Sequence, residues 1–304
     1  MTARTFLLGF ALIASAGFAP ATEPNALEKA IKPLVDDHKG KVAVAVKNLA
    51  TGEHFEIDAD AVMQTASLIK LAVLVEAYRQ ADAKAVNLDK KLTLTKDLKV
   101  PGSGILTQHF SDGATFPLRD ALRLMIAFSD NTATNLTLDA VGIANVNASM
   151  RKLGFPETRI NAKIFKGSTT SVDPERTKKY SLGSTTANET LKLLELIHTE
   201  KAASAEACRE ILGHLRACED KEMLPRFLPS GIEIAQKTGS TNKVRTAAGI
   251  ISVPDPKDKN KKVPIALCVL TNENGDERWT IDNAAQVTIA RIAKAVYDRY
   301  AFDK

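Results

Sequence analysis

The sequence predicts an α+β fold: an antiparallel sheet built from both ends of the chain and flanked by helices, with an all-helical lobe inserted between them. Three observations predict it. Alternating apolar runs fall near the start of the chain and again after residue 231, whereas residues 63–215 mostly carry apolar side chains at three- and four-residue steps. A last amphipathic segment closes the chain. With 304 residues, 44% hydrophobic and 25% charged, there is enough apolar material for one large domain or two coupled ones.

In chain order, residues 1–21 come first. Arg4 precedes the apolar run FLLGFALIASAGFA, and Ala19-Pro20-Ala21 offers small residues for cleavage. This reads as a secretory signal peptide, with an uncleaved anchor as the alternative; the run is short for a spanning helix. No cysteine follows it, which argues against a lipid anchor. The mature chain, 22–304, is expected in the periplasm or secreted. ALEKAIKPLVDDH then has helical spacing, and KVAVAVKNLATGEHFEID reads as a hairpin turning at Ala50-Thr51-Gly52. SLIKLAVLVEAYRQA, LRDALRLMIAFS, NTATNLTLDAVG, VNASMRKLG and TANETLKLLELIHT are helices. Gly154 closes the fourth, and Ser184-Thr185-Thr186 supplies capping hydroxyls for the fifth. GIEIAQKTG, VRTAAGIISV and VPIALCVLTN are strands, followed by a helix over about 283–300. The sheet lobe is thus expected over about 22–62 and 216–304, the helical lobe over about 63–215, with a cleft between them.

Composition excludes several function classes. The net charge is +5, but the basic residues are scattered apart from KDKNKK at 257–262, which reads as a solvated hairpin loop. Clustered arginines with interleaved aromatics are missing, so no nucleic-acid partner is expected. The five histidines show no HExxH-like pairing and the three cysteines no metal spacing, so no metal is expected. Export would permit a Cys208–Cys218 disulfide. On one straight helix the two would lie about 15 Å apart, so the bond requires that helix to end before Cys218. Cys268, inside IALCVL, reads as a buried free thiol.

The chemistry must come from side chains. Ser-x-x-Lys occurs at Ser67/Lys70, Ser149/Lys152 and Ser240/Lys243. The second pair falls in the last turn of a helix and the third in a turn, and neither needs a function. The first differs. Every residue from Leu68 to Val75 except Lys70 is apolar, and Lys70 has no acid three or four positions away. A desolvated, unpaired lysine has its pKa lowered and serves as a proton acceptor. Ser67 would lie one turn back on the same face, where helix N–H groups point at a developing oxyanion. The competing reading is a capping serine and a lysine that snorkels to solvent.

Two further strings favour the chemical reading. Ser129-Asp130-Asn131 sits at a helix-to-helix junction, and Lys237-Thr238-Gly239 ends a strand. Ser-x-x-Lys, Ser-Asp-Asn and Lys-Thr-Gly in this order mark penicillin-recognising serine enzymes. The chain resembles the class A β-lactamases from about residue 25 to its end, most closely in TASLIKL, PGSGIL, LMIAFSDNTATNL and KTGS.

The resemblance implies a β-lactamase/transpeptidase-like fold. It also implies Ser67 as the acylated nucleophile, Lys70 as its base, and Ser129 as the proton shuttle to the leaving nitrogen. Asn131 would hold the substrate's side-chain amide. Lys237, Thr238 and Ser240, beside Gly239, would grip its carboxylate, with Arg245 assisting. The backbone N–H groups of Ser67 and Ser240 would form the oxyanion hole. One departure stands out. The family's Glu-x-x-Leu-Asn motif, whose glutamate activates the deacylating water, does not occur in residues 155–186. Matching TRINAKIF to that segment places Ile164 where the glutamate belongs, with Glu175 as a candidate relocated base or a surface partner of Arg176.

The expected activity is opening of β-lactam rings through a Ser67 acyl-enzyme, with slow deacylation. The alternatives are a D-alanyl-D-alanine peptidase or esterase on the same scaffold, and a sensor that stays acylated. The expected partner is a small β-lactam or D-alanyl peptide. No cofactor and no stable membrane insertion are expected, and a monomer is.

Overall fold

The computed structural model describes residues 26–258 and 260–302, so the expected signal peptide lies outside the described residues. The chain begins with α1 (Ala26–Asp36) and the hairpin β1 (Lys41–Asn48) and β2 (His54–Ile57). After β3 (Met63–Gln64) and a 3-10 turn over Ala66–Ile69 come α2 (Lys70–Asp82), β4 (Lys91–Thr93), α3 (Leu106–His109) and β5 (Thr115–Pro117). Next are α4 (Leu118–Ala127), α5 (Asn131–Val141), α6 (Ile143–Lys152), β6 (Arg159–Ile160), α7 (Gly167–Thr170) and α8 (Pro174–Tyr180). The chain continues through β7 (Gly183–Thr185), α9 (Ala187–His198), α10 (Ala205–Arg216), β8 (Ile234–Thr241), β9 (Val244–Pro254), β10 (Lys262–Asn272) and α11 (Ala284–Ala301).

Five strands form one antiparallel sheet in the order β2-β1-β10-β9-β8. The N-terminal hairpin thus adds to strands from the C-terminal end, as the alternating runs predict. Strand side chains point alternately to the two faces, and here both faces are covered. Ala43, Ala45, Ala248, Ile250, Ala266, Cys268 and Leu270 belong to the apolar cluster shared with α2, α4, α5, α9 and α10. Val42, Val44, Val46, Ile251, Val253, Leu267 and Val269 join Leu27 and Ile31 of α1 and Ile289, Ile292 and Val296 of α11. Burying each Val, Leu or Ile contributes about 1.5–3 kcal/mol. Small residues on the first face let the helices that carry the site lie close to the sheet.

Helix ends follow their local chemistry. Asp130 caps α5, Thr186 caps α9, Ser204 caps α10 and Asn283 caps α11, each accepting from backbone N–H groups of its first turn. Gly154, at φ +88, follows α6. The Ser184 and Thr185 hydroxyls do not cap α9. They lie in β7, part of a three-stranded sheet β3-β7-β6 whose two- and three-residue strands are too short to show periodicity.

The cysteines are all free and buried. Helix α10 runs to Arg216, so Cys218 lies just past its end and the ten-residue separation from Cys208 remains nearly helical. That span holds the thiols apart, and the disulfide does not form. Among the described residues no helix is long and apolar enough to cross a membrane, and no group of three or more His, Cys, Asp or Glu could hold a metal ion.

Candidate active site

Ser67 lies within the 3-10 turn that precedes α2. The Lys70 N–H donates to the Ser67 carbonyl, and three residues per turn place their side chains on one side. The turn's cap position is Thr65, so Ser67 is not a capping residue, and its hydroxyl makes no hydrogen bond among the described residues. Lys70 is 0% exposed, which rules out snorkelling. Ala66, just before Ser67, has φ +46, and Ser129 has φ +52. Such left-handed conformations cost about 1–3 kcal/mol in residues with a Cβ and persist where surrounding contacts enforce them.

Those contacts converge on Ser129, in the turn between α4 and α5. Lys70 Nζ donates to the Ser129 carbonyl at 2.6 Å, to Ser129 Oγ at 3.2 Å and to Asn131 Oδ1 at 2.9 Å. Lys237, also 0% exposed, donates to Ser129 Oγ at 3.1 Å and to the Thr238 carbonyl at 2.6 Å. One hydroxyl therefore lies between two buried amines. Burial pushes the Lys70 pKa well below its ordinary value, and the Lys237 charge pushes it further, against the opposing pull of Asp130. Burial also lowers Lys237, opposed by Cys218 and Asp220.

Strand β8 brings the Lys-Thr-Gly segment against this turn. A Cβ on Gly239 would lie 2.5 Å from the Thr65 carbonyl and 2.7 Å from the Ser67 and Leu68 nitrogens, so only glycine permits the approach. Ser240 follows directly, still within β8. Thr246 of β9 ties the layers together, donating to the Thr65 carbonyl at 2.8 Å.

The other predicted residues are placed differently. Arg245 pairs with Ser240 across the β8–β9 ladder, but its guanidinium is fully buried elsewhere. It bonds Gln286 of α11 and the carbonyls of Thr241, Val244 and Arg278, and lies 4.8 Å from the Trp279 ring centre. Strand alternation explains this: Thr246, Ala248 and Ile250 face the Ser67 side, so Arg245 faces α11. The structure does not bring Arg245 into the cluster.

Ile164 is buried but belongs to neither apolar cluster. Asn135 of α5 clamps its backbone both ways, Nδ2 to the Ile164 carbonyl at 3.0 Å and the Ile164 N–H to Oδ1 at 2.9 Å. Glu175 is exposed in the first turn of α8. Of the two alternatives for Glu175, the pair with Arg176 does not form, because Arg176 reaches Glu157 and Ser184 instead.

A family model described as the beta-lactamase enzyme family matches residues 26–300. The chain belongs to the beta-lactamase enzyme family. A beta-lactamase of Streptomyces cellulosae is 27% identical over 269 residues, covering 86% of this chain and 81% of that protein. The crystal structure of a beta-lactamase from Sphaerobacter thermophilus is similar with a TM-score of 0.77 and 27% identity, covering 90% of this chain and 97% of that one. PBP-A, captured as a leucine-to-glutamate mutant in an acyl-enzyme complex with penicillin G, is similar with a TM-score of 0.75 and 25% identity, covering 90% and 96%. The class A resemblance read from the motifs thus extends along the described chain.

Within this beta-lactamase family scaffold, three residues shape the site in roles the sequence did not assign, Asp130 among them although its string was quoted. Asp130 accepts from Ile105 and Leu106 N–H groups at 2.7 and 2.8 Å and from Ala133 at 2.8 Å, stapling the 101–106 loop to α5. Gly104 is required there, since its Cβ would lie 2.3 Å from the Asp130 carboxylate. Asn135 is the second; its spacing of four from Asn131 was the available signal. Asp220 is the third, accepting from the Thr238 hydroxyl at 2.8 Å. Nothing local in the sequence marks it.

Proposed function

We propose that this chain is a serine hydrolase that opens β-lactam rings through an acyl-enzyme on Ser67. Lys70 takes the Ser67 proton as Oγ attacks the lactam carbonyl, and the Ser67 and Ser240 N–H groups receive the oxyanion. As the ring C–N bond breaks, Ser129 donates its proton to the nitrogen and regains one from the lysine pair. The observation that carries this reading is Ser129 Oγ between two fully buried lysines, neither in an ion pair with a carboxylate among the described residues. Such lysines serve proton transfer better than they serve stability. Family membership, and the names of the Streptomyces and Sphaerobacter relatives, support β-lactams as the substrate class.

Deacylation is the slow step in this reading. An apolar Ile164 neither accepts a proton nor orients water, and losing general-base help slows hydrolysis by about 10²-fold or more. The test is intact-protein mass spectrometry with penicillin: wild type should carry a long-lived adduct, and Ser67→Ala none. An equal adduct on Ser67→Ala would overturn the mechanism.

Ile164 also favours a second reading, a D-alanyl-D-alanine peptidase or esterase on the same scaffold. Release of D-alanine from a D-Ala-D-Ala peptide faster than turnover of a chromogenic cephalosporin would select it. Adduct formation without turnover of either substrate would select the sensor. Export and a single catalytic domain over 22–304 complete the proposal, and secretion of a leader fusion would test the former.

A further inference from the structure

We propose that Phe165 is a specificity-determining residue, whose ring makes this site prefer acyl donors that carry an aromatic group on the acyl side. The proposal rests on the acyl-transfer reading and names the substrate class within it. Phe165 is 66% exposed and belongs to neither apolar cluster. An exposed apolar side chain alone needs no explanation, but this backbone does. Its φ is +57, a left-handed conformation that is a genuine outlier for a bulky residue. The turn that enforces it is closed on both sides. Asn135 brackets the Ile164 backbone, the Lys166 N–H donates to the Lys163 carbonyl at 3.2 Å, and the Lys163 N–H donates to Thr170 Oγ1 at 2.9 Å. The chain is thus strained at Phe165 while holding an apolar ring out of the core, and strain of this kind points to function.

The location of the ring says which function. A Cβ on Gly102 would lie 3.3 Å from Phe165 Cε2 and 2.7 Å from Asn131 Nδ2, so the ring edge and the amide flank one point on the exposed 101–103 loop. From the amide, contacts run inward. Asn131 Oδ1 accepts from Lys70 Nζ at 2.9 Å, and Lys70 Nζ donates to Ser129 Oγ at 3.2 Å. Lys237 of β8 meets the same hydroxyl at 3.1 Å, and β8 packs against the Ser67 turn at Gly239, so that flank is closed. A side chain on the acyl half of a substrate therefore has its open path along Asn131, and there it meets Phe165. An aromatic group packs against the ring and removes apolar surface of both from water, whereas a methyl group offers little to pack.

The experiment compares acylation of Ser67 by benzylpenicillin and by the penicillin with an acetyl in place of its phenylacetyl side chain, followed by intact mass. The two share the fused rings, the carboxylate and the side-chain amide, and differ only in the phenyl group. The readout is the phenylacetyl-to-acetyl ratio of second-order rate constants on one preparation, which is independent of the folded fraction. In the wild type the ratio should be about ten, Phe165→Tyr should keep it, and Phe165→Ala should bring it within about twofold of one. Phe165→Gly, which relieves the left-handed backbone, should lower the ratio likewise while unfolding at the same or a higher urea concentration than wild type. A wild-type ratio below about two, or a ratio unmoved by both Phe165→Ala and Phe165→Gly, would overturn the proposal. Failure of both penicillins to acylate the wild type would instead refute the β-lactam reading, so the two failures are distinguishable.

Discussion

Gly239→Ala should disable acylation without touching any reacting side chain. The added Cβ would lie 2.5 Å from the Thr65 carbonyl and 2.7 Å from two backbone nitrogens, and none of these can rotate away. Gly239 is not among the residues with positive φ, so the damage is steric rather than conformational. Restoring an ordinary separation of about 3.5 Å requires β8 to withdraw from the Ser67 turn by about 1 Å. That motion separates the two N–H groups proposed to receive the oxyanion. A misplacement of about 1 Å costs about 10²-fold, and loss of one oxyanion donor about 10²- to 10³-fold. Acylation by penicillin, timed by intact mass, should therefore slow by about 10²- to 10³-fold. Overpacking should also lower stability by about 1–3 kcal/mol, so unfolding is measured alongside and rates are compared at a temperature where both proteins are folded. Acylation within threefold of wild type in a folded Gly239→Ala protein would refute the reasoning.

Two further outcomes follow from the site and the core. Ile164→Glu places a carboxylate on a backbone already clamped by Asn135, and should shorten the lifetime of the penicillin adduct by about 10²-fold; an unchanged lifetime would show that the missing base is not what limits hydrolysis. His214 Nε2 is hydrogen-bonded to Tyr78 Oη at 2.7 Å, while its Nδ1 is buried without a partner among the described residues. Burial, and then the charges of Arg123 and Arg119, lower its pKa to about 4. The folded protein therefore stays unprotonated there while the unfolded chain gains a proton below about 6.5. Stability should be full above that value and fall by roughly 3 kcal/mol as pH drops to 4. Urea unfolding at several pH values checks this, and His214→Leu should flatten the decline over that window.

Long periodic segments were legible in the sequence. The β1–β2 hairpin, α5 and α11 lie where their apolar spacing and capping residues put them, because local pattern and tertiary burial agree there. The Ser-x-x-Lys, Ser-Asp-Asn and Lys-Thr-Gly strings named residues of which Lys70, Ser129, Asn131 and Lys237 do converge, the first two strings on turns and the third on strand β8. Contacts made across the chain were harder to read. Asp220 reaches Thr238 from the connection after α10, and no local pattern marks such a partner. Arg245 was implied by the resemblance alone, and its guanidinium is instead taken up by Gln286 and by three backbone carbonyls, contacts that no local pattern in VRTAAGII marks. The Cys208–Cys218 pair failed because two residues beyond the end of α10 leave the helical span nearly intact.

The pairing of β1 with β10 also governs how the molecule is made. Lys41 meets Asn272 and Asn48 meets Ile265 across that ladder, so the first hairpin has no neighbour on one side until nearly the whole chain exists. The Ser67 turn waits in the same way for Gly239 and Thr246. Loop closures of this length must be completed before the contacts they enable can stabilise anything, which slows folding and prolongs exposure of unpaired strand edges. Ribosome-bound or truncated chains ending before residue 262 would therefore leave β1 and β9 as open edges, prone to aggregate rather than to act as smaller working versions of the enzyme. Assembly of the surroundings of Ser67 is thus a late event in the life of each molecule.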